Sequence, residues 1–183
     1  MRMVKQLTNN KFLNIKEVTD PENNVRGYQF AERRGVDSVA FICYDSSKVY
    51  ELGYTKFLLN KEYTPPTNEF HVRAFGGSID KDKPKTEIVK EEVKEECGFE
   101  VKEKSIHELG KVFVSTQMNQ YCYLYLVDLK GAKESGRKPE NAVEAMAEIV
   151  WKTEAEIVCK MDWKAICILQ KAKREGLINQ GTI

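Results

Sequence analysis

Two apolar segments constrain the fold of this chain more than any other feature of its sequence. Asp37–Tyr44 (DSVAFICY) is a nearly continuous apolar run, which is typical of a strand buried on both faces of a sheet. Tyr121–Leu129 (YCYLYLVDL) is rich in aromatic and branched apolar residues, which also favour strands. A sheet buried on both faces needs a covering layer on each side. We therefore predict an α/β fold in which a mixed β-sheet is sandwiched between α-helices.

The other elements are predicted from apolar spacing and from turn-forming residues. An N-terminal β-hairpin is expected over Lys11–Val18 and Gly27–Arg34, because turn formers separate the two segments. Further strands are predicted at 49–59, 70–74, 101–109, 112–114 and 147–152, and helices at 85–97, 153–159 and 162–175. The proline-containing segments 64–68 and 130–140 are predicted to be loops, and Gly76-Gly77 a turn.

The composition of the chain limits the kinds of partner that the protein can bind. The chain has 183 residues with 29 basic and 28 acidic side chains, so its formal net charge is +1. This balance argues against general binding to nucleic acid or to an anionic membrane. No apolar run reaches the length of about 18 residues that a membrane span requires. The polar start and five widely spaced cysteines without a C-x-x-C pair predict a cytoplasmic protein with reduced thiols.

The helix predicted at 85–97 carries the candidate chemistry. At about 100° per residue, its apolar stripe consists of Val89, Val93 and Cys97. Three carboxylates lie together on one flank of that stripe: Glu92, Glu95 and Glu96. They repel one another at this spacing, and a divalent cation such as Mg²⁺ or Mn²⁺, which prefers hard oxygen ligands, would offset the repulsion. The alternative from these residues alone is an ordinary solvated acidic helix.

The segment Gly76–Phe99 resembles the Nudix box, G-x5-E-x7-R-E-U-x-E-E-x-G-U, in which U is an apolar residue. Gly77 takes the first position, and the later positions are matched without a gap by Glu92, Val93, Glu95, Glu96, Gly98 and Phe99. The resemblance implies a Nudix fold and Mg²⁺- or Mn²⁺-dependent hydrolysis of a pyrophosphate. It further implies that the metal ligands are Glu92, Glu95, Glu96 and the carbonyl of Gly76, with Glu95 and Glu96 as catalytic residues.

Two positions depart from the box. Lys83 stands where the box has its first Glu, and Glu91 stands where it has Arg. The resemblance implies that these residues brace the helix, as Gly77 and Gly98 do. Since the two charges are exchanged, we predict a salt bridge of reversed polarity, although Lys lacks the bidentate fork of Arg. The alternative is a non-catalytic Nudix-fold module that binds a nucleotide or a partner.

The resemblance extends over about residues 11–160. GYQFAERRGVDSVAFICYD, at 27–45, is similar to the start of ADP-ribose pyrophosphatase-type Nudix proteins. This implies an N-terminal β-extension over 1–35 that forms a homodimer, followed by a Nudix domain over 36–183. The segment entering the box differs from the ADP-ribose type. The expected substrate is therefore a small nucleotide, a nucleoside diphosphate linked to a sugar or another group.

Five residues outside the box helix are candidates for substrate binding or proton transfer. Arg73 lies at the box entrance, where it would face a substrate phosphate or pair with a local acid. Phe75 would stack on a base or sugar, or belong to the core. Arg33 and Arg34 end a predicted strand, from which one of them would contact substrate in the dimer. Glu144, just before the strand predicted at 147–152, is the candidate general base, or otherwise a solvated loop carboxylate.

Overall fold

The computed structural model describes residues 1–48, 54–80, 82–139, 142–160 and 162–179. The strands, in chain order, are β1 (Met3–Gln6), β2 (Leu13–Asp20), β3 (Val25–Arg33), β4 (Ser38–Tyr44), β5 (Lys56–Thr64), β6 (Glu69–Arg73), β7 (Phe75–Ser78), β8 (Phe99–Glu100), β9 (Ile106–Phe113), β10 (Tyr121–Asp128), β11 (Lys133–Glu134) and β12 (Glu148–Thr153). The helices are α1 (Lys85–Glu92), which continues into a π-helical turn (Val93–Cys97), α2 (Ala142–Ala145), α3 (Glu154–Lys160) and α4 (Trp163–Arg174).

The central element is a seven-stranded mixed sheet. Its main path runs β12-β5-β4-β10-β9, with β6 added to β5 and β7 added to β4. Strand β10 is parallel to β4, whereas the other pairs in this sheet are antiparallel. Both segments that were predicted to form the interior strands therefore lie side by side in the middle of the sheet.

Strand β4 is buried along its whole length, as predicted from its apolar run. Because successive side chains point to opposite faces, it contributes to two separate cores. On one face, Val39, Phe41 and Cys43 pack in a cluster with residues of α1 and its π-helical turn: Ile88, Val89, Val93 and Cys97. On the other face, Ala40, Ile42 and Tyr44 share a cluster with residues of α4: Ala165, Ile168, Leu169 and Ala172. The sheet is thus covered by helices on both faces.

The sheet splits where β4 and β5 separate. These two strands pair only at Cys43↔Leu58 and Tyr44↔Phe57. Beyond that point β6 pairs with β5 and β7 pairs with β4, so the chain crosses from one strand to the other at Ala74. This split places the start of the box beside the end of α1.

The N-terminal residues form a separate three-stranded antiparallel sheet in the order β1-β2-β3. Its β2–β3 hairpin corresponds to the predicted hairpin, whereas β1 was not predicted. The sheet contacts the rest of the chain through the segment before β10. The amide of Ala31 donates to the carbonyl of Gln117 at 2.8 Å, and the hydroxyl of Tyr28 donates to the carbonyl of Thr116 at 2.8 Å.

Several predicted boundaries are wrong for identifiable reasons. Gly110, between the two strands expected at 101–109 and 112–114, adopts a φ of 80° at a bulge opposite β10. Because a bulge lets the pairing continue on both sides, the chain forms one strand here, β9. Gly76 and Gly77 lie inside β7 rather than in a turn. Residues 49–53 of the strand predicted at 49–59 lie outside the described residues, and β5 extends to Thr64. The loop predicted at 130–140 contains β11, which pairs with β8.

No helix among the described residues is long and apolar enough to span a membrane.

Candidate active site

Helix α1 presents the box carboxylates at the edge of the core. The predicted stripe is confirmed, because Val89 and Val93 are 0% exposed and Cys97 is 2% exposed. The final turn of this helix is π-helical, and it ends at Gly98 with a φ of 77°, where the amide of Gly98 donates to the carbonyl of Val93. A positive φ at this position favours glycine. The predicted helix end is therefore explained by backbone geometry.

Strand β7 runs directly against these carboxylates. A Cβ atom at Gly77 would lie 2.0 Å from Oε1 of Glu92, and a Cβ atom at Gly76 would lie 2.6 Å from the carbonyl oxygen of Val39. The amide of Gly76 donates to Oε2 of Glu96 at 3.4 Å. The two glycines are thus required for close approach within a strand, between β4 on one side and α1 on the other.

Three other carboxylates lie close enough to Glu96 to affect its pKa. Burial raises the pKa of Glu96 to about 8, helped by the negative charges of Glu92, Glu144 and Glu62 and opposed by the hydrogen bond from Gly76. The structure therefore brings the candidate base Glu144 toward Glu96. Glu62, on β5, was not predicted as a member of this group.

This donor set fits a divalent cation. Carboxylate oxygens are the ligands that Mg²⁺ and Mn²⁺ prefer, and a cation would offset the repulsion that disfavours ionised Glu96. In the described part of the chain, no three His, Cys, Asp or Glu side chains already converge as a metal site. Coordination by Glu92, Glu96 and a third carboxylate thus requires their side chains to move closer together. The negative charge of Glu95 is among those that raise the pKa of Lys83.

The ion pair predicted from the exchanged box charges is present. Nζ of Lys83 contacts Oε1 of Glu91, and this hydrogen bond is the main reason that the pKa of Lys83 is raised. The pair joins the segment that precedes α1 to the outer side of that helix. Both side chains are partly exposed, so solvent screens the attraction and the pair alone adds little to stability.

Reversing both charges of this pair should preserve it. We expect Lys83→Glu and Glu91→Arg each to lower the melting temperature slightly, because each places like charges together, and the double variant to recover the loss. Thermal unfolding of the four proteins measures the coupling. The Lys83–Glu91 contact has no stabilising role if the effects of the two single substitutions simply add.

A cleft of about 200 Å³ lies at the split in the sheet. Its charged lining residues come from the N-terminal sheet, β5, β6, the π-helical turn and α4: Arg33, Glu62, Arg73, Glu96 and Lys164. The polar side chains of Ser38, Asn60 and Ser78 line it as well. The backbone of Gly76 and Gly77 forms part of the same wall. The structure thus brings two predicted substrate-binding arginines beside a predicted metal ligand. One of them, Arg73, is paired with Glu62, which is the local-acid alternative considered from the sequence.

Phe75 and Arg34 are placed less favourably for substrate contact than Arg33. The ring of Phe75 is 1% exposed and stacks on Phe41 with centroids 5.4 Å apart, so it belongs to the core, which is the alternative considered from the sequence. Arg34 is exposed and does not line the cleft, and its amide donates to the carbonyl of Phe12. Of the adjacent arginines it is Arg33 that faces the site, with Nη2 donating to Oγ of Ser78 at 2.7 Å.

Three charged residues at or next to the site were not predicted from the sequence. Glu62 lies in the part of β5 beyond the predicted strand end, and Lys164 lies in the first turn of α4. Arg137 lies in a segment predicted to be a loop, and its guanidinium donates to the carbonyl of Glu96 at 2.7 Å. No local pattern marks these residues, because the tertiary fold brings them to α1 or to the cleft.

Comparison with solved structures shows what this architecture is similar to. The chain matches "Crystal structure of ADP compounds hydrolase" with a TM-score of 0.72 and 15% sequence identity, over 96% of this chain and 95% of that chain. At this identity the likeness shows the fold. The predicted fold class, an α/β fold with a mixed β-sheet sandwiched between α-helices, is confirmed. No protein-family model and no curated protein matches the sequence.

Proposed function

We propose that this chain is a metal-dependent pyrophosphohydrolase that cleaves the diphosphate of a nucleoside diphosphate linked to a sugar or another group. The observation that carries the proposal is the division of charge in one cleft. Acidic Glu96 lies beside the backbone of Gly76, and basic Arg33 and Lys164 line the same cavity. Such a site suits a ligand that carries both phosphate oxygens and their counter-cation. The similarity in fold to a hydrolase of ADP compounds supports the same class of substrate.

The proposed metal ligands are Glu92, Glu95 and Glu96, with the carbonyl oxygen of Gly76 as a further donor. Mg²⁺, or Mn²⁺ in its place, would supply positive charge to the diphosphate and activate water for attack on phosphorus. Arg33 and Lys164, which line the same cleft, would bind diphosphate oxygens. Their charges would hold the substrate with its diphosphate against the box helix.

Glu144 is the proposed general base. Its negative charge is among those that raise the pKa of Glu96, so it is near the box carboxylates. A carboxylate at that position would accept the proton of the attacking water. The partial burial of Glu144 and its effect on the pKa of Glu96 support this role over that of a solvated loop carboxylate.

A panel assay tests the function directly. ADP-ribose, other ADP- and UDP-sugars and dinucleoside diphosphates would be incubated with the protein and Mg²⁺ or Mn²⁺, and the nucleoside monophosphate formed would be measured. Turnover of one class that stops with a chelator supports the hydrolase. The alternative is the non-catalytic module. Binding of a panel compound that is not hydrolysed in the presence of Mg²⁺ or of Mn²⁺ would favour that module.

Arg33→Ala is expected to weaken substrate binding. A charge-assisted hydrogen bond contributes about 1.5–3 kcal/mol, which corresponds to a rise in KM of about 10- to 100-fold. Arg34→Ala is the matched control, because Arg34 is the adjacent arginine and its side chain lies outside the cleft. Steady-state kinetics on the best panel substrate measure both. Equal effects of the two substitutions would show that Arg33 has no special contact with substrate.

We further propose that the N-terminal sheet forms a homodimer. It carries several exposed apolar side chains: Met3, Val4, Phe12, Leu13 and Tyr28. Apolar side chains grouped on one small exposed sheet are typical of an interface. Light scattering after size-exclusion chromatography should give twice the mass of 21.1 kDa, and Phe12→Glu should shift the protein to monomer. A wild-type protein that is monomeric at high concentration would contradict the proposal.

A further inference from the structure

Arg137 makes three hydrogen bonds to main-chain carbonyls on two different parts of the chain. Its Nε donates to the carbonyl of Glu96 at 2.7 Å, its Nη1 to that of Ala147 at 2.6 Å, and its Nη2 to that of Glu144 at 3.1 Å. The first carbonyl belongs to the π-helical turn that ends the box helix. The other two lie in and just after α2. One guanidinium therefore links the two segments that carry the proposed catalytic carboxylates.

The backbone around Arg137 is fastened to the same helix end. The amide of Lys138 donates to the carbonyl of Glu95 at 2.9 Å, and the amide of Ser135 donates to the carbonyl of Gly98 at 2.8 Å. A Cβ atom at Gly98 would lie 3.0 Å from the amide nitrogen of Arg137. Gly98 therefore serves a second purpose besides its positive φ, because it lets the Arg137 segment pack directly on the end of the helix.

Helix α2 is a short element. It is four residues long and contributes no buried side chain. The hydrogen bonds from Arg137 to the carbonyls of Glu144 and Ala147 are directed contacts that tie this short helix and the residues after it to the end of the box helix.

We propose that Arg137 is a positioning residue, which holds Glu144 at a fixed separation from Glu96 by clamping α2 to the end of the box helix. The catalytic part of this inference rests on the proposed function, in which Glu96 binds metal and Glu144 takes a proton. The clamp itself is a property of the fold. The guanidinium of Arg137 acts on the backbone carbonyls of Glu96, Ala147 and Glu144 and not on a reacting atom.

The chemistry requires arginine. Its planar guanidinium presents five donors in a rigid arrangement and has no acceptor, which suits carbonyls that approach from different directions. A lysine ammonium is a compact charge at the end of a flexible chain and cannot span the same three oxygens. Arg137→Lys should therefore behave like Arg137→Ala rather than like the wild type.

Enzyme kinetics test the positioning role. Arg137→Ala and Arg137→Lys should lower kcat by about 10- to 100-fold, the usual effect of removing a group that orients catalytic ligands, with KM changing much less. Added guanidinium ion should restore part of the kcat of Arg137→Ala and none of that of Arg137→Lys, whose side chain fills the space. Lys138→Ala is the control, because Lys138 bonds the carbonyl of Glu95 through its main-chain amide, which the substitution retains. A kcat that Arg137→Ala leaves unchanged would overturn the inference.

Amide hydrogen exchange tests the clamp without any activity. In Arg137→Ala, the amides of Met146 and Ala147, which bond to carbonyls within α2, should lose protection, whereas Lys138→Ala should leave them protected. Unchanged protection in Arg137→Ala would show that α2 is held by other contacts, which overturns the clamp. If the wild-type protein hydrolyses no substrate, the proposed function fails, and the exchange result still decides whether the clamp exists.

Discussion

Glu96→Gln is expected to abolish hydrolysis and to raise the melting temperature of the metal-free protein. In the fold, burial and the charges of Glu92, Glu144 and Glu62 disfavour ionised Glu96. A neutral amide of the same shape relieves both the desolvation and the repulsion, so the apo fold becomes more stable. The same substitution removes a proposed metal ligand, and we expect turnover to fall by at least about 100-fold.

The stabilisation should depend on pH in a defined direction. The pKa of Glu96 is about 8 in the fold, against an ordinary value of 4.5. Between these values the unfolded chain releases the proton first, so the wild type loses stability as pH rises from about 4.5 to 8. Glu96→Gln does not titrate. The advantage of the variant should therefore be small near pH 5, grow toward pH 8 and then level off.

Thermal unfolding in the presence of a chelator, at several pH values, measures this effect. Allowing for solvent around the half-buried side chain, we expect on the order of 2 kcal/mol at pH 8, or a rise of about 4–8 °C. Glu103→Gln is the control, since Glu103 is exposed on a short 3-10 turn away from the site. Full turnover by Glu96→Gln would make the metal assignment wrong. A pH-independent melting difference would show that Glu96 is not destabilised by charge.

The sequence predicted the box helix well because its determinants are local. The apolar stripe follows from helical spacing, the helix end follows from the conformational freedom of Gly98, and the Lys83–Glu91 contact follows from two exchanged charges. The interior strands β4 and β10 were predicted equally well, since a long apolar run is stable in a folded chain only where it is buried.

Residues that reach the site through tertiary contacts could not be predicted in the same way. Glu62 and Lys164 lie in elements whose own patterns reflect only strand and helix formation. Arg137 lies in a polar segment between strands, and its role depends on which main-chain carbonyls the fold brings within reach of its guanidinium. Phe75 illustrates the same limit of local patterns, because a residue next to Gly76 can face the cleft or the core, and the strand pairing of β7 with β4 decides between them.

The pair of glycines in β7 yields a prediction in which two adjacent substitutions have different effects. At Gly76 the nearest obstacle to a Cβ atom is the carbonyl oxygen of Val39, at 2.6 Å, which belongs to the backbone of β4. That atom cannot rotate away, so Gly76→Ala should force β7 and β4 apart. We expect a loss of about 1–3 kcal/mol in the free energy of unfolding, as for other overpacked interiors.

Gly77→Ala should instead spare the fold and damage the site. Its Cβ atom would lie 2.0 Å from Oε1 of Glu92, and all three nearest atoms belong to that one side chain, which can rotate away. Displacing a proposed metal ligand should lower the apparent affinity for Mg²⁺ or Mn²⁺ and reduce kcat at least about 10-fold, while stability changes little. Chemical denaturation and metal titration of both variants measure the two effects separately. If Gly77→Ala retains full metal response, then Glu92 does not bind metal, whereas equal instability of the two variants would show that β7 tolerates no side chain at either position.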